Sequence, residues 1–391
     1  MWALNSGFDI KNKFSSSGYQ LKTWIGITKN TSVEYNVRLF VDAVVRYTKL
    51  HYHLFGKYNG ELMYQPSEDI LHQISGTFLE FLEKHNLNML VPLLHRIHTS
   101  QGEGYLDEIG TLYGLLWNSP KLLISYALRA LGADRDPYKI YMMKDGFEKV
   151  WNTIVSNERF DIRYFSRIDA IDRHNNTVIL HYFKSNSRYL TEKCDFLIWT
   201  PPMSEFIHIV SNPTNDEHEL FTTLRPHIFV ATLMKESGVI KNRPITYYQE
   251  TLDKKIDGGV VADGSLEDAI NYCDDGCPLT IDDYSKRTGM ERHLTVLQLG
   301  REAVSEKRSN DIAREHYEKG FNASSVEFLN SNTWEYFYKW APDELAKGNH
   351  WKVFKIQGLH RTWYAGASVC FETIKSVLEY NELLLKQMLR K

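Results

Sequence analysis

The sequence predicts an α/β chain of α+β character in which two domains interleave, and three observations carry that prediction. Helical periodicity dominates residues 67–131. The apolar run Phe196, Leu197, Ile198, Trp199, stopped by Pro201-Pro202, is the pattern of a strand covered on both faces. Near the C-terminus, "TWYAG" feeds a small-residue turn at Gly366, Ala367 and Ser368, and "FETIKSVLEYNELLLKQML" continues as a long helix.

In chain order, "SEDILHQISGTFLEFLEKH" spaces Ile70, Ile74, Phe78 and Leu82 along one helix face, and "LDEIGTLYGLLW" and "SPKLLISYALRAL" follow as shorter amphipathic pieces. After Asp145-Gly146 a helix carries Phe147, Val150, Trp151 and Ile154. "FDIRYFSRIDAIDRHNNTVILHYF" is two alternating runs broken by His-Asn-Asn, a hairpin. Strand-like runs "HIFVATLM", "ITYYQE" and "HLTVLQLG" alternate with polar loops before the helix "DIAREHYEKGF".

Composition narrows the function classes. With 391 residues, 43% of them hydrophobic, the chain can bury a core large enough for two domains. A formal net charge of -3 provides no basic stripe, which argues against nucleic acid and for a small-molecule substrate. Aromatic residues at 13% suit an apolar ligand site as well as a core, and Tyr105, Tyr113 and Tyr126 would line an apolar pocket in the helical block. Cys194, Cys273, Cys277 and Cys370 read as free thiols, because the Cys273/Cys277 pair lacks two further ligands at metal spacing. The pairs His51/His53 and His95/His98 read as satisfied or solvated rings, so no metal is expected. There is no signal-peptide pattern and no apolar run of eighteen, so no export and no membrane span is expected; the cytoplasm is the default, and the oligomeric state is not readable.

The succession "MMKDGFEKVWNTIV", "FDIRYFSRIDAIDR", "DFLIWTPP", "FYKWAPDELAKG" and "QGLHRTWYAGASVCFET" resembles the FAD-dependent amine oxidoreductase superfamily. Within it, "GYLDE" with "TLYGLLW" and the terminal "TWYAGASVCFET" look most like the branch of β-cyclopiazonate dehydrogenase-like proteins and polyunsaturated fatty acid isomerases. The resemblance spans residues 33–390. It implies a substrate-domain helical block over 1–137, a dinucleotide-domain hairpin and strand over 138–210, a substrate-domain sheet over 211–340 and the last strand, turn and helix of the FAD domain over 341–391.

FAD is the cofactor the resemblance implies. It places the backbone of Ile168 at the adenine and Thr200 and Pro201 beside the dinucleotide. Gly366, Ala367 and Ser368 fall at the ribityl-pyrophosphate, and Phe371, Glu372 and Thr373 where the last helix aims its N-terminus at the isoalloxazine. Trp340, Trp363 and Tyr364 become substrate walls. Lys339 is a conceivable base, although a solvated lysine is the commoner case, and no catalytic residue is named. The expected reaction is hydride abstraction from a C-H beside nitrogen or from an allylic carbon of a small apolar substrate.

Two departures accompany the resemblance. Gly366-Ala367 stands where the wider family often has Gly-Glu, which removes a carboxylate contact to the ribityl hydroxyls. The G-x-G-x-x-G fingerprint is missing, "GEGYLD" at Gly102 and Gly104 being a chance approach to it, so the FAD-binding Rossmann-like domain is expected to be incomplete. Losing the phosphate contacts, at roughly 1.5–3 kcal/mol each, leaves three explanations open: an incomplete gene model, a fragment of a split flavoprotein, or a diverged form without flavin. A non-catalytic remnant acting as a binding module is therefore the second functional expectation.

Overall fold

The computed structural model describes residues 33–56, 64–130, 147–158, 160–185, 188–238, 245–265, 291–301 and 304–389. The Cys273/Cys277 pair and the Asp145-Gly146 turn lie outside them. The first part is helical: α1 (Val33–Phe55), α2 (Glu68–Gln73), α3 (Phe78–Lys84), α4 (Val91–Ser100), α5 (Thr111–Trp117), α6 (Pro120–Ala130) and α7 (Phe147–Glu158). Three strands, β1 (Ser166–His174), β2 (Thr177–Lys184) and β3 (Arg188–Cys194), precede the short β4 (Leu197–Trp199) and helices α8 (Met203–Ile209) and α9 (Asn215–Phe221). Then come β5 (Arg225–Ser237), β6 (Ile245–Tyr247), α10 (Gln249–Lys254), β7 (Gly259–Ser265), β8 (Arg292–Gly300), α11 (Glu306–Phe321) and β9 (Ser325–Lys339). The chain closes with α12 (Pro342–Ala346), α13 (Asn349–Ile356), β10 (Thr362–Tyr364), α14 (Ala367–Cys370) and α15 (Ile374–Met388).

These elements form two compact units, so the chain is a mixture of helix and sheet, as predicted. The first unit takes Met1–Gly56, Gly76–Tyr138 and Pro226–Phe337. Its sheet has the order β6-β7-β8-β5-β9. Alternate residues of β5 and β8, Met234, Leu294 and Val296 among them, bury against Ala313 and Tyr317 of α11, because strand period 2 and helix spacing i, i+4 each place one apolar face toward the other. The helix is bounded by Ser305, whose side chain accepts from the Arg308 N-H, and by left-handed Asn322.

The single helix expected across 68–84 is two helices. Thr77 begins α3 with a capping box, its N-H donating to Glu80 Oε2 at 2.8 Å and its hydroxyl accepting from the Glu80 N-H. A T-x-x-E pair satisfies two orphan donors at once, which favours a fresh helix start over continuation. In the same unit the glycines of "GEGYLD" have a packing reason. A β-carbon on Gly104 would meet His227 Nε2 at 2.2 Å, and one on Gly102 would meet the Phe229 and Tyr336 rings. Both sit at positive φ, 80° and 107°, which side chains rarely adopt.

The second unit takes Lys57–Ser75, Lys139–Arg225 and Tyr338–Lys391. Its antiparallel sheet β1-β2-β3 contains the predicted hairpin, with His174 opposite Thr177 across the Asn175-Asn176 turn. Strand β1 starts later than the alternation suggests: Phe160, Ile162, Tyr164 and Phe165 are exposed and lie outside any strand. Beside this sheet β4 and β10 pair in parallel, Leu197 to Thr362 and Trp199 to Tyr364. Strand β4 is not covered on both faces. Leu197 and Trp199 are buried while Ile198 is 43% exposed, so the strand alternates despite its unbroken apolar sequence. None of α7 is buried either, and Phe147, Trp151 and Ile154 stand open on it.

Candidate functional site

The site the sequence points to lies in the second unit, where β10 ends. Gly366 has φ 92° and ψ -175°, a region open essentially to glycine alone. A β-carbon there would lie 2.7 Å from the Thr200 carbonyl oxygen. The group that comes close at this turn is therefore the end of β4. The Ala365 N-H donates to the Trp199 carbonyl at 2.9 Å, and the Ser368 hydroxyl accepts from the Met203 N-H at 3.3 Å. That second contact matters because Pro202, the N-cap of α8, has no side chain able to accept.

One long helix was expected to follow the turn. Instead the single turn α14 ends at Phe371, whose φ of 149° breaks the path, and Thr373 starts α15 by accepting from the Ser376 N-H at 3.0 Å. The hydroxyl of Thr373 offers the backbone an alternative to continuous helix, which is the N-cap preference of threonine. Cys370 is buried in this break; its Sγ donates to the Gly366 carbonyl at 3.2 Å, and burial pushes the thiol up to about 12.

The predicted cofactor residues separate into a cluster and an outlier. Thr200 and Pro201 are exposed, Gly366, Ala367, Ser368, Glu372 and Thr373 are half-buried, and Phe371 is buried. Thr200 and the 366–368 turn meet in one rim, joined by the Gly366 approach and, through Met203, by the Ser368 bond, and residues 371–373 lead from it into α15. Ile168 stands apart, half-buried on β1 beside a bulge in its pairing with β2.

The three aromatics named as substrate walls are interior residues. Trp340 and Tyr364 are 1% and 0% exposed, and Trp363 is buried on the other face of β10. The Trp340 indole N-H donates to the Leu220 carbonyl at 2.9 Å, and the Tyr364 ring packs edge-on against Phe206 and Phe221. Lys339 is buried as well.

Sequence reasoning missed the charged group that organises this region. Arg173 of β1 forks onto Glu217 of α9, Nη1 to Oε1 at 2.6 Å and Nη2 to Oε2 at 2.9 Å, with both side chains essentially fully buried. Glu217 also accepts from the Tyr364 hydroxyl and, as a capping-box residue, from the Thr214 N-H at 2.8 Å. Burial works to raise this carboxyl, but the bonds from Arg173, Tyr364 and Thr214 outweigh it and hold the group below the ordinary carboxylate range. Burial and the neighbouring Glu217 charge push the Tyr364 phenol up. The T-x-x-E spacing of Thr214 and Glu217 was a legible signal for the cap, whereas nothing local announced Arg173 as its partner.

Two of the histidines considered as ligands, both in the first unit, have protein partners. His98 bonds Glu103 through Nδ1 and Asn118 through Nε2, and His51 Nε2 meets the Leu115 carbonyl at 3.2 Å. Among the described residues no group of three or more His, Cys, Asp or Glu could hold a metal ion, and no helix is long and apolar enough to cross a membrane.

No protein-family model matches the chain, and no curated protein matches it. Solved structures do. A CLA-producing fatty acid isomerase from P. acnes superposes with a TM-score of 0.69 at 18% identity, over 92% of this chain and 76% of that one. Putrescine oxidase bound to putrescine gives 0.53 at 8% identity, over 93% and 77%. Cyclohexylamine oxidase from Brevibacterium oxydans gives 0.50 at 12% identity over the same shares. At such identities the likeness is one of fold, and this chain has the amine oxidase-like fold that these structures share.

Proposed function

We propose that this chain acts as an FAD-linked oxidoreductase of the amine oxidase type. It would abstract hydride from a C-H beside nitrogen, or from an allylic carbon, of a small apolar substrate. The observation that carries this reading is the rim before α15, where the end of β4 at Thr200 meets the Gly366 turn and Thr200, Pro201, Gly366, Ala367, Ser368, Glu372 and Thr373 all keep at least partial exposure. Those residues fit the ring-and-ribityl end of the cofactor. The start of a 15-residue helix supplies partial positive charge, suited to an electron-rich ring edge. Flavin, when bound, accepts the hydride. The chain's own residues orient that ring through the 366–368 turn, and the Phe371 break sets where α15 begins.

The pyrophosphate end has a different standing. Among the described residues no glycine-rich strand-turn-helix unit is present to cradle phosphates, so the residues assigned here contact one end of the cofactor only. The deciding experiment titrates the purified protein with FAD and follows the flavin absorbance bands and tryptophan fluorescence. Saturable binding, then bleaching of the bound flavin by an amine or an allylic substrate without oxygen, is the expected result. A protein that stays colourless with no spectral change at any FAD concentration would sink the reading and favour a binding module.

A further inference from the structure

We propose that Glu217 is the positioning residue for the rim: through Tyr364 it fixes the end of β10, and so holds the strained turn at 366–371 in place. This rests on the functional reading above for its purpose and on geometry alone for its existence. The turn holds a glycine-only conformation at Gly366, φ 92°, and a strained one at Phe371, φ 149°. Conformations of this kind persist only where the surroundings over-determine them. What over-determines this one is Tyr364, two residues before Gly366, which is held from every side.

Its N-H donates to Gln357 Oε1 at 2.8 Å, and its carbonyl accepts from Gln357 Nε2 at 2.7 Å. Its ring lies between Phe206 and Phe221, and its hydroxyl donates to Glu217. Of these partners Glu217 is the charged one. It is also the point at which β1, α9 and β10 meet, because Arg173 brings the hairpin to the same carboxylate and takes the Asn212 carbonyl at 2.6 Å. Removing the carboxylate's charge weakens the bond it accepts from the Tyr364 hydroxyl and leaves a buried guanidinium uncompensated, so the end of β10 is held less firmly on the side facing α9.

Cys370 is a built-in reporter, since its thiol is buried and bonded to the Gly366 carbonyl. The experiment compares the wild type with Glu217→Gln, Tyr364→Phe and the double variant Arg173→Met/Glu217→Leu. Iodoacetamide labelling is mapped peptide by peptide at Cys370, with Cys194 of β3 as the internal control. If the proposal is right, Cys370 labels about tenfold faster in each variant while Cys194 does not change, a local opening rather than global unfolding. The double variant, which carries no buried unpaired charge, keeps the test valid if Glu217→Gln fails to fold. In the same proteins FAD is titrated, and the visible circular dichroism of bound flavin should change shape in the variants.

Unchanged Cys370 labelling in Tyr364→Phe and in the double variant overturns the positioning role, whatever happens with FAD. A wild type that binds no FAD overturns the functional reading and leaves the Cys370 comparison to decide this proposal. Faster Cys370 labelling with an unaltered flavin signature also overturns it, because Glu217 would then be structural only.

Discussion

The carbonyl oxygen of Thr200 lies 2.7 Å from the point where a β-carbon on Gly366 would stand. That oxygen is backbone, so neither partner can swing away. Gly366→Ala should therefore lose stability twice, through the clash and through φ 92°, by about 2–4 kcal/mol in total. Thermal unfolding measures it, and a Tm within a degree or so of wild type would contradict the assigned turn geometry.

The Ser368 hydroxyl serves as the missing cap of α8. Ser368→Ala should cost about 1 kcal/mol by leaving the Met203 N-H without its acceptor. Ser368→Thr retains the hydroxyl and should recover most of that loss. Urea midpoints of the two variants provide the comparison.

Thr77 makes a parallel case on the boundary between α2 and α3. Its hydroxyl and N-H are both engaged by Glu80, so Thr77→Ala should destabilise by about 1 kcal/mol, and Thr77→Ser by much less. Chemical denaturation distinguishes the two; equal losses would mean that the methyl group, not the cap, matters.

Acid should weaken the fold through its buried imidazoles. His51 and His350 are buried, and burial pushes both imidazoles down to about 4 from the ordinary 6.5. Between those values the unfolded chain binds protons on these rings and the folded chain does not, so stability falls as pH drops through the window. Each ring contributes about 1.4 kcal/mol per pH unit there. Glu217 enters only at the acid end: its carboxyl is held down, so its share is present above the ordinary 4.5 and is lost below it. Urea midpoints at several pH values should show the slope, and His350→Gln should reduce it.

The sequence by itself determined several of the elements, because the patterns involved are local. The His-Asn-Asn break made the hairpin, the spacing of Ala313 and Tyr317 made the buried face of α11, and the small residues at 366–368 made the turn. It also singled out the Thr200 and 366–373 stretches that converge on one rim. Two of the boundaries it missed had local signals, the caps at Thr77 and Thr373.

What only the tertiary structure decided is everything that depends on separation along the chain. Periodicity cannot say that Arg173, Glu217 and Tyr364 meet, since two buried charges are tolerable only when folded geometry brings them together. Nor can it tell an apolar strand buried on both faces from one like β4, whose Ile198 face is open, because burial belongs to the neighbours and not to the residue. The aromatics named as ligand walls became core for the same reason: Trp340 and Tyr364 found their polar partners in Leu220 and Glu217, residues more than a hundred positions away.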